Sequence, residues 1–229
     1  MNTPQTVVFT QRAFNAIITE TISKHPIETG GVFLGYVLNN DTWIVVENIA
    51  PGMKSTHRYA YFEYDSEFVT YLANVIANQY KGNLRILGLW HRHPGSMDVF
   101  SNTDMNTNRD YARDCPFGAI SALINCDPRW RMTMYHITQD GQCYEAEWVV
   151  DDGDIIPEEY LQLHYTDPEN VPIFDNSGVL DQQRNNQNEE ETSEVVEETM
   201  ENQPIMTAPY TLLMAFRDIK KIIKRLIYN

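Results

Sequence analysis

The sequence predicts a mixed α/β domain built on a largely antiparallel β-sheet flanked by helices. Three observations carry this expectation. Short β-branched and aromatic runs alternate with helical apolar periods through residues 1–165. Several of these runs are joined by hairpin-type turns, with no regular βαβ repeat and no Gly-rich phosphate loop. Beyond Tyr165 large apolar side chains become scarce, and they return only in the last stretch of the chain.

The elements follow in order. "TVVFT" (Thr6–Thr10) is a short β-branched and aromatic strand, and "QRAFNAIITETISKH" then places Phe14, Ile17, Ile18 and Ile22 at helical spacing. Gly30–Leu38 and Thr42–Ala50 are strands joined by the turn signal Asn39-Asn40-Asp41. Tyr59–Tyr64 alternates as one short strand. Asp65 and Ser66 can cap a helix reaching about Tyr80, with Phe68, Val69, Leu72, Val75 and Ile76 on its apolar face. Leu84–His91 is a continuous apolar run of the buried-strand type. A polar helix at Asn102–Asp114 precedes strands over residues 118–126 and 131–139. The segment 141–150 returns from the last of these through Asp140-Gly141, a strong hairpin turn.

Composition bounds the function. The chain has 229 residues, 42% of them hydrophobic and 11% aromatic, ample for a packed core. No apolar run approaches the ~20 residues needed to cross a bilayer. "MNTPQTVVFT" lacks the basic and apolar regions of a signal peptide, so a cytoplasmic protein without a transmembrane segment is expected. Cys115, Cys126 and Cys143 are odd in number, match no zinc or redox spacing, and read as reduced packing thiols. Net charge is −15, of which residues 1–180 carry −12. Such an acidic body argues against nucleic acid as the chief partner, because phosphate binding needs clustered Lys and Arg.

Three regions emerge: a domain over 1–165, a linker over 166–206 and a helix over 207–229. The linker is acidic and rich in Asn, Gln and Glu, and its composition predicts disorder. In the tail, Leu212, Leu213, Phe216, Ile219, Ile222, Ile223, Leu226 and Ile227 recur at three- and four-residue steps opposite Lys and Arg. A basic amphipathic helix over 209–228 is expected to dock on its own acidic domain or on a protein partner. An acidic membrane surface is disfavoured by the negative body and linker.

The stretch "GLWHRHPGSMDVFSNTD" (Gly88–Asp104) carries the chemistry. Residues two apart on a strand share a face, so His91 and His93 can present imidazoles to one point. Asp104 falls near the start of the next helix, where the returning chain can offer a carboxylate. Two imidazoles, one carboxylate and an open fourth position make the donor set of catalytic zinc. The same residues also read as a strand ending in histidines before a capped helix, with Ser101 at the N-cap and an acid three residues on. Residue types and spacing leave both readings open.

The pattern His91-x-His93-Pro94, six residues, Ser101-x-x-Asp104 resembles the signature of the JAMM (JAB/MPN) zinc metalloproteases at every defined position. Glu28 in "IETGGVFLGY" and the segment "YAYFEYDSEFVTYLANV" resemble further parts of that family, and the likeness spans about residues 5–150. It implies an MPN/JAB-like α/β fold with a cytidine-deaminase-like three-layer arrangement. It also implies one catalytic Zn²⁺ held by His91, His93 and Asp104, with Glu28 as the proton-transferring acid/base and Ser101 as the oxyanion donor. The implied activity is that of a prokaryotic-type deubiquitinase-like isopeptidase acting on ubiquitin or ubiquitin-like proteins and their conjugates. Such enzymes occur in conjugation systems linked to antiviral defence. A zinc peptidase or amidase acting on another small conjugate is the alternative enzyme. A non-catalytic MPN scaffold is the alternative from another class, and the retained five-residue set counts against it.

The remaining histidines read differently. His25 and His57 have no partner at ligand spacing and read as surface residues or as supports behind the ligand set, His136 is a packed or hydrogen-bonded strand residue, and His164 is given no role. Trp90 should fill the core on the face opposite His91, and Arg92 on that same side should form a salt bridge.

Overall fold

The elements are β1 (Thr6–Phe9), α1 (Gln11–Ser23), β2 (Thr29–Leu38), β3 (Thr42–Ile49), β4 (Thr56–Arg58), β5 (Tyr61–Glu63), α2 (Ser66–Ala77), β6 (Arg85–Arg92), α3 (Asn102–Arg113), β7 (Ala119–Asn125), β8 (Arg131–Ile137) and β9 (Cys143–Val150). They come from a computed structural model that describes residues 5–38, 41–167 and 169. The linker past residue 169 and the helix expected at 207–229 lie outside the described residues.

Two elements differ from expectation. The single strand over Tyr59–Tyr64 is half of a hairpin, in which Thr56–Arg58 pairs antiparallel with Tyr61–Glu63 around Tyr59 and Ala60. Neither turn residue is a Gly, Asn or Asp, so the turn carries no local signal. Helix α2 stops at Ala77 because Tyr80 is used elsewhere. Tyr80 bridges Leu163 and donates its hydroxyl to the buried carboxylate of Glu47 at 2.8 Å.

Seven strands close into a barrel in the order β1-β3-β2-β6-β7-β8-β9. The mixed α/β character is as expected, with four antiparallel and three parallel pairings. Closure of the sheet was not expected. It comes from β1, which pairs parallel with β3 on one side and β9 on the other, so that neither neighbour is left as an open edge. Helix α3 is the crossover between the parallel strands β6 and β7.

Apolar side chains collect on both faces of this sheet. One cluster takes residues from all seven strands, including Phe9, Phe33, Trp43, Trp90 and Ile124, together with Ala13 and Ile17 of α1. The other joins Leu34, Ile44 and Ile86 to Val69 and Ala73 of α2 and to Tyr111 and Ala112 of α3. Strand β6 changes parity between them. Phe33 pairs with Gly88 and Leu34 with Ile86, which leaves Leu87 as an extra residue in β6. Ile86 and Leu89 therefore pack on the α2/α3 side, while Leu87 and Trp90 pack on the α1 side. A regular strand would have put Leu87, Leu89 and His91 on one face. The bulge hands His91 and His93 to the α3 side.

Gly88 makes the bulge possible. Its φ is +155°, and a Cβ there would lie 1.7 Å from the Ile120 carbonyl oxygen on β7.

Candidate metal centre

His91 and His93 end β6, and the His93 N–H continues the ladder by donating to Ile124 O at 3.0 Å. Their Nε2 atoms face each other at 2.9 Å. The loop that follows is tied down at several points. Asn125 Nδ2, fully buried on β7, donates to Met97 O at 2.9 Å and to Gly95 O at 3.3 Å. Arg131 pairs with Asp98 at 2.7 Å and also donates to Ser96 O, while the Tyr135 hydroxyl donates to Asp98 O. Phe100, packed on Tyr135, places its ring 5.7 Å from that of His91.

The loop delivers Ser101 to the start of α3 as its N-cap. Ser101 Oγ accepts from the Asp104 N–H at 3.2 Å, and Asp104 Oδ2 accepts from the Ser101 N–H at 2.9 Å. This is the capping box expected from the sequence. The same Oδ2 lies 3.2 Å from His93 Nε2 and 3.6 Å from His91 Nε2. Burial opposes the charge of Asp104. Hydrogen bonds from His91, His93 and Ser101 outweigh it and hold the carboxyl well below the usual carboxylate range. For His93, burial lowers the pKa, but the hydrogen bond and charge of Asp104 prevail and raise it.

The ligand atoms of His91, His93 and Asp104 all lie within 4.8 Å of one another. A four-coordinate zinc with bonds of about 2.0–2.1 Å would set its ligand atoms ~3.3–3.4 Å apart. The three observed separations, 2.9, 3.2 and 3.6 Å, straddle that spacing. Two imidazole nitrogens at 2.9 Å also need a proton or a cation between their lone pairs. The donor set fits zinc.

Glu28 enters from the residue before β2. Its carboxyl is pushed up to about 7 by burial and further by the charge of Asp104, against the pull of His93 and Arg92. Its backbone stands beside the end of β6, because the next residue, Thr29, pairs with Arg92. The five residues singled out from the sequence converge on one end of β6.

The sequence matches the family model described as prokaryotic homologues of the JAB domain over residues 10–140, a span that holds all five. The chain belongs to this family. No curated protein matches this JAB-family sequence. Among solved structures, the solution structure of protein DSY2949 from Desulfitobacterium hafniense is similar, at 18% identity and a TM-score of 0.49, covering 63% of this chain and 92% of that one.

Other residues of this JAB domain fall as follows. Trp90 is fully buried on the face away from His91, as expected, and donates Nε1–H to Asn48 Oδ1 at 2.6 Å. Arg92 is 1% exposed, and its NH1 faces His25 Nδ1 at 2.9 Å. No carboxylate of the described residues pairs with Arg92 within 4.0 Å, so the expected salt bridge is replaced by a contact with His25. His136 is hydrogen-bonded, its Nε2 3.0 Å from Phe117 O. No disulfide joins any of the three cysteines, and Cys115 and Cys143 pack against the core. No helix of the described residues is long and apolar enough to cross a membrane.

The sequence reading assigned no contact to Tyr64 or to His57. The Tyr64 hydroxyl donates to Gly31 O and Trp90 O, stitching β2 to β6 beside the site. His57 reaches the Glu28 carbonyl. A histidine at no ligand spacing carries no local signal, because only the fold brings it there.

Proposed function

We propose that this JAB-family protein is a zinc-dependent isopeptidase or peptidase. It would hydrolyse the bond that follows the C-terminus of a ubiquitin or ubiquitin-like protein. The observation that carries the reading is the convergence of His91, His93 and Asp104 with the burial-shifted carboxyl of Glu28 beside them. His91 and His93 would hold the ion through Nε2 and Asp104 through Oδ2. Zinc in such a site supplies a Lewis acid and brings the pKa of a coordinated water from 15.7 down to about 7.

The protein's own groups do the rest. A carboxyl near 7 can accept a proton from the attacking water and later give it to the leaving amine. Ser101 uses its oxygen to accept from the Asp104 N–H, which leaves its hydroxyl proton free to donate to the oxyanion. Asp104, held ionised by its neighbours, stays an acceptor throughout.

The substrate class and a place in a ubiquitin-like conjugation system linked to phage defence rest on the JAMM likeness of the motif. The test combines metal analysis with cleavage of ubiquitin-like fusions, and of short or peptidoglycan-type peptides, by wild type and Glu28→Gln. Stoichiometric zinc and Glu28-dependent release from the fusions are expected. Cleavage of the short peptides alone would move the assignment to a zinc peptidase or amidase. Absence of zinc, or equal turnover by Glu28→Gln, would leave only a scaffold.

A further inference from the structure

Glu28 stands just outside the barrel ladder, whose first pair on this strand is Thr29 with Arg92. Its backbone is held from elsewhere, at both polar groups, by β4. The Glu28 N–H donates to Arg58 O at 2.9 Å, and the Glu28 carbonyl lies 2.9 Å from His57 Nδ1. A carbonyl oxygen only accepts, so His57 Nδ1 carries a proton in this contact. The far side of the ring is held as well: His57 Nε2 is 2.8 Å from Ser55 Oγ, which itself donates to Gly52 O at 2.5 Å. The ring also packs on Phe62 at 5.3 Å, and Phe62 packs edge-on against Tyr64 at 4.5 Å.

This hairpin lies close over β2. A Cβ on Gly30 would come within 2.5 Å of both Phe62 Cε1 and Trp90 O. Tyr64, bonded to Gly31 and Trp90, anchors its far end. Of the side-chain hydrogen bonds seen here, the one from His57 is the link between the hairpin and Glu28 itself. Ser55 and His57 together have the contact of a nucleophile and its base. The Ser55 hydroxyl is nevertheless engaged by Gly52 O in a loop closure, and the ring is oriented toward Glu28.

We propose that His57 is a positioning residue: through Nδ1–H it fixes the Glu28 carbonyl, and with it the direction from which the Glu28 carboxyl meets the metal triad. This rests on the hydrolase reading for its consequence in turnover, but not for the backbone clamp. Orientation matters steeply at such a centre, where a misplacement of about 1 Å can cost on the order of 10²-fold.

The test uses the full-length protein and two variants. His57→Phe keeps a ring against Phe62 and removes the donor; His57→Asn places an amide N–H near the Nδ1 position. Long-range ¹H–¹⁵N spectra of the wild type should show His57 protonated at Nδ1. Exchange of the Glu28 amide should quicken about tenfold in His57→Phe and recover in His57→Asn, with the His93 amide unchanged in both. On a ubiquitin-like protein joined to a fluorogenic amine, His57→Phe should lower kcat about tenfold with KM and zinc content unchanged, and His57→Asn should restore part of it.

Identical Glu28 exchange in wild type and His57→Phe, or no recovery in His57→Asn, would overturn the clamp. If no substrate is cleaved by the wild type while Glu28 exchange still responds, the clamp stands and the hydrolase reading falls.

Discussion

Ser101 and Asp104 hold each other by two reciprocal hydrogen bonds, and the Asp104 oxygen that accepts from Ser101 also faces both histidines. The box that starts α3 is therefore also the device that aims the carboxylate. On the zinc reading, a helix start and a metal ligand would be one structure, and ion binding would be coupled to folding of α3.

Ser101→Ala separates two contributions. Loss of the N-cap should lower stability by about 1 kcal/mol. Loss of the hydroxyl donor should lower kcat on the order of 10²–10³-fold. Ser101→Thr, which keeps both cap and hydroxyl, should recover most of each in urea unfolding and steady-state kinetics. Equal stability loss with unchanged kcat would remove Ser101 from the chemistry.

Glu28 predicts a pH signature in the metal-free protein. Its folded pKa, about 7, lies above the ordinary value of 4.5, so the folded state binds the proton more tightly than the unfolded chain. Stability is then favoured below the ordinary value and lost as pH rises toward the folded pKa. Glu28→Gln should stabilise the metal-free protein more at about pH 8 than at about pH 4, read from paired urea titrations. Because zinc favours the carboxylate, zinc binding near pH 7 should also release fewer protons in Glu28→Gln than in wild type, read by calorimetry in two buffers.

Gly88→Ala tests the bulge. With its Cβ 1.7 Å from Ile120 O, alanine cannot be accommodated without parting β6 from β7. A loss of at least about 3 kcal/mol in unfolding free energy is expected. Weakened zinc binding should accompany it, since the same distortion moves His91 and His93. Near-wild-type stability would mean that the parity change does not depend on this residue.

Asn125→Ala tests the loop between His93 and Ser101. It leaves the Gly95 and Met97 carbonyls without their buried donor. The expected cost is about 1–3 kcal/mol. A fall in zinc affinity should follow, measured by competition with a chelator, if the loop's anchoring sets the distance from His93 to Asp104.

Much of this site was legible one residue at a time. A two-residue step on a strand puts His91 and His93 on one face whatever surrounds them, and Ser101 with Asp104 is a local box that forms within four residues. The strands and helices were legible for the same reason, since apolar periods record local geometry. Glu28 was different: from the residues it reads as a solvated turn acid, and only its likeness to a family motif singled it out. The hairpin β4–β5 was half seen, because its turn at Tyr59 and Ala60 uses residues without turn preference.

Local patterns in the chain set the alternation of elements, the paired histidines and the cap that bears the third donor. These depend on contacts between residues near in the chain. Tertiary structure decided which face of the sheet receives the histidines, through one extra residue at Leu87 beside Gly88. It also closed the sheet through β1, raised the Glu28 carboxyl by burial and brought His57 to the Glu28 carbonyl from 29 positions away. Each of these depends on partners distant in sequence, whose meeting no local pattern encodes.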